Sequence, residues 1–146
     1  MDAANFLESQ SRNQVGITPF CELSNDNLQG LVKLLAWIAD SVLPLPHLLA
    51  GIWIVPEGQM ITFVNQVIAQ FAPDANLHKL GTHEPDGVAI PIETENSATA
   101  LILLDAQPLR QLNADHPFVP EVISTLLEEL LHVELYSIRW ERGLYS

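Results

Sequence analysis

Cysteine occurs once in the 146 residues, at Cys21, so no disulfide can form within the chain. A lone thiol fits a reducing compartment, the cytoplasm or, in a plant, the plastid stroma. Basic side chains are almost as scarce. Six lysines and arginines stand against 18 acids, a formal charge of −12. Such a chain repels phosphate backbones and anionic lipid surfaces, so neither nucleic acid nor membrane is an expected partner. The acids are scattered rather than set in ordered rows, which argues against mimicry of DNA. Long apolar runs are missing too. The most apolar stretch, Leu28 to Val55, is broken by Lys33, Asp40, Pro44, Pro46 and His47, short of the ~18 uninterrupted residues a membrane span needs. The first 14 residues are polar and lack the apolar centre of a signal peptide. There is no Ser/His/Asp order, no phosphate-binding glycine loop, no internal repeat and no low-complexity segment. An enzyme is not expected.

What is present reads as one α+β domain behind an arm. Apolar residues make up 48% of the chain, enough for a core, and the length suits a single domain. Residues 1–23 read as the N-terminal arm and 24–146 as the domain. Ser24, Asn25 and Asp26 are helix-capping residues directly before an apolar periodic run. They predict a helix from about Asp26 to Leu43, with Leu28, Leu31, Val32, Leu35, Ile38 and Val42 on one face. Leu34 and Trp37 lie on another side. Pro44 and Pro46 end it.

Leu48 to Val55 is short, apolar and partly β-branched, as strands are. Pro56-Glu57-Gly58-Gln59 is a turn signal, and Met60 to Val64 can pair back as the second strand of a hairpin, followed by a short helix over about 65–72. The alternative is one helix from Met60 to Phe71, because Met60, Val64, Val67, Ile68 and Phe71 also fit the helical period. Residues 73–87 are loop-like. Val88 to Ile92 and Ala98 to Leu104 read as antiparallel strands around a polar turn, the second apolar enough to lie in the middle of the sheet. The longest element is a helix from about Val119 to Arg142, with Pro120 in its first turn and Gly143 beyond its end. It carries two apolar stripes. Val122, Leu126, Leu130, Val133 and Trp140 form one, and Ile123, Leu127, Leu131, Leu135 and Ile138 the other. Two stripes need two packing partners: the sheet for one, and the first helix or a second copy of the chain for the other.

The order helix, hairpin, short helix, strand, strand, long helix resembles a GAF domain. The likeness rests on Val88-Ala89-Ile90-Pro91-Ile92, the polar turn 93–97, Ala100 to Leu104, Pro117 to Glu121, the long helix after it, and Gly51 to Val55 as a first strand. It covers about residues 26–142. The resemblance implies a central antiparallel sheet with the N- and C-terminal helices packed on one face and a ligand pocket on the other. It implies a sensor or input module, such as that of a histidine kinase, passing its signal down the last helix to a downstream kinase or effector. It implies a homodimer joined through the two helices, here through Leu34, Trp37, Leu126, Leu130, Val133 and Trp140. The segment available for a pocket, 65–87, is short for a large cofactor. A bilin also needs a pocket cysteine, so neither bilin nor haem is expected.

The layout is similar to the chloroplast sensor kinases and their cyanobacterial counterparts, which begin with a redox-sensing GAF domain. In that light Cys21 is a candidate redox thiol or a ligand to an iron–sulfur cluster shared across a dimer, since one cysteine per chain cannot fill a four-cysteine site. Its plain reading is a small apolar residue. Glu128 and His132, four apart on one helical face, are the candidate metal pair, and they resemble a zincin helix with its first ligand changed. His116 and Glu121 are the available further ligands. The same residues also make an ordinary solvated stripe. His78, His83, Glu84 and Asp86 form a polar loop beside the expected pocket. The alternatives to a sensor are a degenerate zincin-like metal-binding domain and an acidic inhibitor or adaptor.

Overall fold

Ser24 sets the start of the first helix. Its hydroxyl accepts from the Asn27 N–H at 3.0 Å, and the Asn27 side chain accepts from the Ser24 N–H at 3.3 Å, a reciprocal capping box. Helix α1 follows from Asn25 to Ser41 and buries Leu31, Leu34, Leu35 and Ile38. The computed structural model describes residues 15–71, 85–93 and 97–141. Within them the remaining elements are strands β1 (Gly16–Pro19), β2 (Leu49–Val55), β3 (Gly87–Glu93) and β4 (Ala98–Asp105). The helices after α1 are α2 (Met60–Phe71), the single turn α3 (Ala106–Leu109) and α4 (Pro120–Glu141).

Among the described residues the sheet has four strands in the order β1-β2-β4-β3. It is mixed, not antiparallel as expected. β1 runs parallel to β2 and β2 parallel to β4, while β3 and β4 form the antiparallel hairpin. Two local causes account for this. Residues 60–64 do not return as a strand. Gly58, at φ 75°, closes the turn, the Gln59 N–H bonds to the Pro56 carbonyl, and the Phe63 N–H bonds to the Gln59 carbonyl, so the chain enters α2 directly. Helical spacing then buries Met60, Val64 and Val67 together, as in the one-helix alternative. The outer edge of β2 is left to β1, drawn from residues read as an arm. Helix α1 carries the chain back over the sheet between the two strands, the crossover that a parallel pair requires. The folded domain therefore reaches back before Ser24.

The sheet is covered on both sides. Ile52, Ile54, Ala100, Ile102 and Leu104 face one way, into a core shared with α1 and α4. Val55, Ile90, Leu101 and Leu103 face the other way, against α2. The first and last helices thus lie on one face, as expected, and α2 covers the face to which the resemblance assigns a pocket. β4, central and covered on both sides, is buried throughout except at Thr99. Pro91, which has no N–H to donate, sits in the edge strand β3, where a proline is tolerated.

The segment after α3 is tied to α1. The Asn27 amide donates to the carbonyls of Leu112 (2.7 Å) and Arg110 (3.3 Å). Lys33 Nζ donates to the Ala114 carbonyl, and the Ala114 N–H donates to Asp26. Gly30 makes this approach possible. A Cβ there would stand 2.8–3.0 Å from backbone atoms of Asn113. Asp105 joins three elements. Its carboxylate accepts from the Gln107 N–H at the start of α3 and from the Gly58 N–H in the turn before α2.

Candidate functional site

Helix α4 presents three different surfaces. Toward the sheet, Val122, Leu126, Leu130 and Val133 enter the chain's own core, none of them more than 2% exposed. Toward the outer edge of the sheet, α4 is bonded to β3. Tyr136 donates its hydroxyl to Glu93 at 2.8 Å. Glu129 is almost fully buried; it lies 3.0 Å from His132 Nδ1 and accepts from the Ala89 N–H. A Cβ at Gly87 would stand 2.7 Å from the Thr125 methyl and 3.1 Å from Glu129 Cγ, so β3 and α4 meet where glycine fits best. On the remaining side, Leu131 (51%), Leu135 (52%) and Ile138 (36%) are exposed, and Ile123 and Leu127 are partly buried against the core.

Only part of the expected interface set is open to a second chain. Leu34, Leu126, Leu130 and Val133 are consumed by packing within one copy. Trp37 is exposed and packs edge to face on Phe118, which is also exposed, at 5.2 Å between ring centroids. Trp140 is half-buried. Of the two stripes visible in the sequence, the one chosen for the interface is the core, and the other is the free surface.

The metal pair is rearranged. His132 bonds to Glu129, three residues back, rather than to Glu128, four back, and Glu128 is exposed. Burial raises the Glu129 carboxyl above its ordinary pKa, because the charged form loses its water. The His132 hydrogen bond and charge and the Ala89 N–H pull it down, and the Glu128 charge pushes it up. The sequence carries a signal for this position. Glu129 lies one turn from Leu126 and from Val133, on the margin of the buried stripe. Of the further ligands, Glu121 accepts from the Gln111 side chain, and His116 bonds to the Asn113 side chain through its backbone N–H, not its ring. Among the described residues no group of three or more His, Cys, Asp or Glu side chains gathers as a metal site would. His78, His83 and Glu84 lie outside the described residues.

Compared with known proteins, the chain matches no family model, no curated protein and no solved structure.

Cys21 follows β1 and packs, half-buried, against the core beneath α1 and α4. Burial raises its thiol pKa, Arg110 lowers it and Asp105 raises it. A raised pKa makes the thiol a less ready nucleophile. A cavity between α3, α4 and the end of β4, beside Asp86 and Asp105, measures about 10 Å³, room for one water. No described helix is long and apolar enough to cross a membrane.

Proposed function

We propose that this is a GAF-like regulatory input domain, not an enzyme, that works as a homodimer through the outer face of α4. The observation that carries the reading is the exposed row Leu131, Leu135 and Ile138. With Leu127 it follows spacings of 4, 4 and 3, the pattern of a helix–helix seam. Surfaces of this kind mark contacts rather than idle solvent faces. A second copy is the favoured occupant because the row is self-complementary about a two-fold axis. A partner of opposite charge has no basic or acidic ridge within the row to recognise.

The same helix supports a route for the signal. Its edge side is tied to β3 through Glu93–Tyr136 and Ala89–Glu129, so a shift in the sheet moves α4 and with it the contact between copies. A downstream kinase or effector would receive that change. The redox reading of Cys21 gains no support from its raised pKa. The zincin-like reading gains none from the Glu129–His132 pairing, since no third ligand gathers there among the described residues. Sedimentation equilibrium of the purified chain tests the proposal. A reversible dimer is expected, and a monomer at every concentration rules it out.

A further inference from the structure

Two polar side-chain atoms on the sheet face away from α4 are shut off from solvent and have no hydrogen-bond partner among the described residues: the hydroxyl oxygen of Thr18 and the indole nitrogen Nε1 of Trp53. They are neighbours. Thr18 and Trp53 are register partners across the parallel pair β1–β2, so their side chains leave the same face side by side. Buried polar groups are nearly always paired, and an unpaired one weakens the fold. Two at adjacent positions concentrate that cost at one spot.

Aromatic rings pack beside Trp53. Phe20 packs on Trp53 at 5.0 Å between centroids and meets Phe63 of α2 edge-on at 5.5 Å. Phe20 is 41% exposed, yet its backbone is fixed, its N–H bonding to the Ile54 carbonyl at 2.8 Å. Its side chain can turn with the strand left in place.

We propose that Thr18 and Trp53 form the floor of a binding site for a small, flat, uncharged ring compound bearing a carbonyl oxygen, with Phe20 as its lid. The indole N–H only donates, and the threonine hydroxyl can donate beside it. Two donors on one face suit the two lone pairs of a carbonyl oxygen. With Phe20 turned aside, the rings of Phe63 and Trp53 suit a flat apolar body. A carboxylate ligand is disfavoured, because the cluster contains no basic side chain among the described residues and the chain carries −12. The site lies on the opposite side of the sheet from the α4 row and does not depend on the dimer.

The test uses the full chain with Trp37→Phe and Trp140→Phe, so that Trp53 gives the sole indole signal, and benzamide as the probe. Titration is followed by the indole N–H resonance and by fluorescence. Saturable binding that moves the indole N–H resonance is expected. Thr18→Val, followed by the same indole signals, and Trp53→Phe, which keeps a ring but loses the donor and is followed by titration calorimetry, should each weaken binding by roughly five- to tenfold, the worth of one hydrogen bond. Phe20→Ala should keep or strengthen binding, and it remains informative if Trp53→Phe fails to fold. No saturable shift up to the solubility limit of benzamide overturns the proposal. So does a crystal structure grown with benzamide in which an ordered water bridges Thr18 and Trp53.

Discussion

His132 Nδ1 stands 3.0 Å from Glu129 Oε1, one turn away on the same helix, over a carboxyl group all but sealed from solvent. Burial, the largest influence, raises the Glu129 pKa above 4.5. The folded state therefore binds this proton more tightly than the unfolded chain does. Its contribution to stability is full below about pH 4.5 and is lost as pH rises through the raised folded value. Glu129→Gln removes the titration and keeps an oxygen to accept from the Ala89 N–H. Urea unfolding across a pH series should give a flatter stability profile above pH 4.5, with neutral-pH stability at or above that of the parent. A variant clearly weaker at neutral pH would mean that the ionised carboxylate is required there.

Gly30→Ala sets two effects against each other. Alanine is the better helix former by about 1 kcal/mol. The new methyl, however, would meet the Asn113 carbonyl oxygen at 2.8 Å and its nitrogen at 2.9 Å. Both are backbone atoms in a segment held by Asn27, Lys33 and Asp26, so they cannot move cheaply. Overpacking of this kind costs about 1–3 kcal/mol, and a net loss of stability on urea unfolding is the expected result.

Asp105→Ala removes the acceptor for two N–H groups, those of Gln107 and Gly58. A lost cap costs about 0.5–2 kcal/mol. Thermal unfolding should show a loss in that range, and Asp105→Asn, which keeps one oxygen, a smaller one.

Salt should favour association. Each copy carries −12, so two copies repel, while the α4 row that joins them is apolar. Screening weakens the repulsion and leaves the apolar contact intact. The dimer dissociation constant should fall as ionic strength rises. The opposite trend would point to a contact made by charges.

The elements with a long or capped pattern were legible. Ser24 and the prolines bracket α1, and 22 residues of α4 carry their period from end to end. The Val88–Ile92 and Ala98–Leu104 pairing followed from two apolar runs around a short turn. What failed was governed by distant partners. Gly16–Pro19 is four residues long and becomes a strand only because β2 offers an edge. Met60–Val64 fits both periods over five residues, and packing on Val55, Ile90, Leu101 and Leu103 selects the helical one. The two α4 stripes were visible, but nothing local says which one the sheet takes. Thr18 and Trp53 meet only through the parallel register, which the sequence does not display.

The most direct test of the α4 contact is sedimentation equilibrium of Leu131→Glu with Leu135→Glu beside Leu130→Glu, each with circular dichroism. Leu131 and Leu135 are half exposed within one copy, whereas Leu130 is fully buried. The double variant should keep its helical signal and run as a monomer where the parent is a dimer. Leu130→Glu should lose its fold. A folded double variant that remains a dimer contradicts the account, because the copies would then meet on some surface other than the outer face of α4.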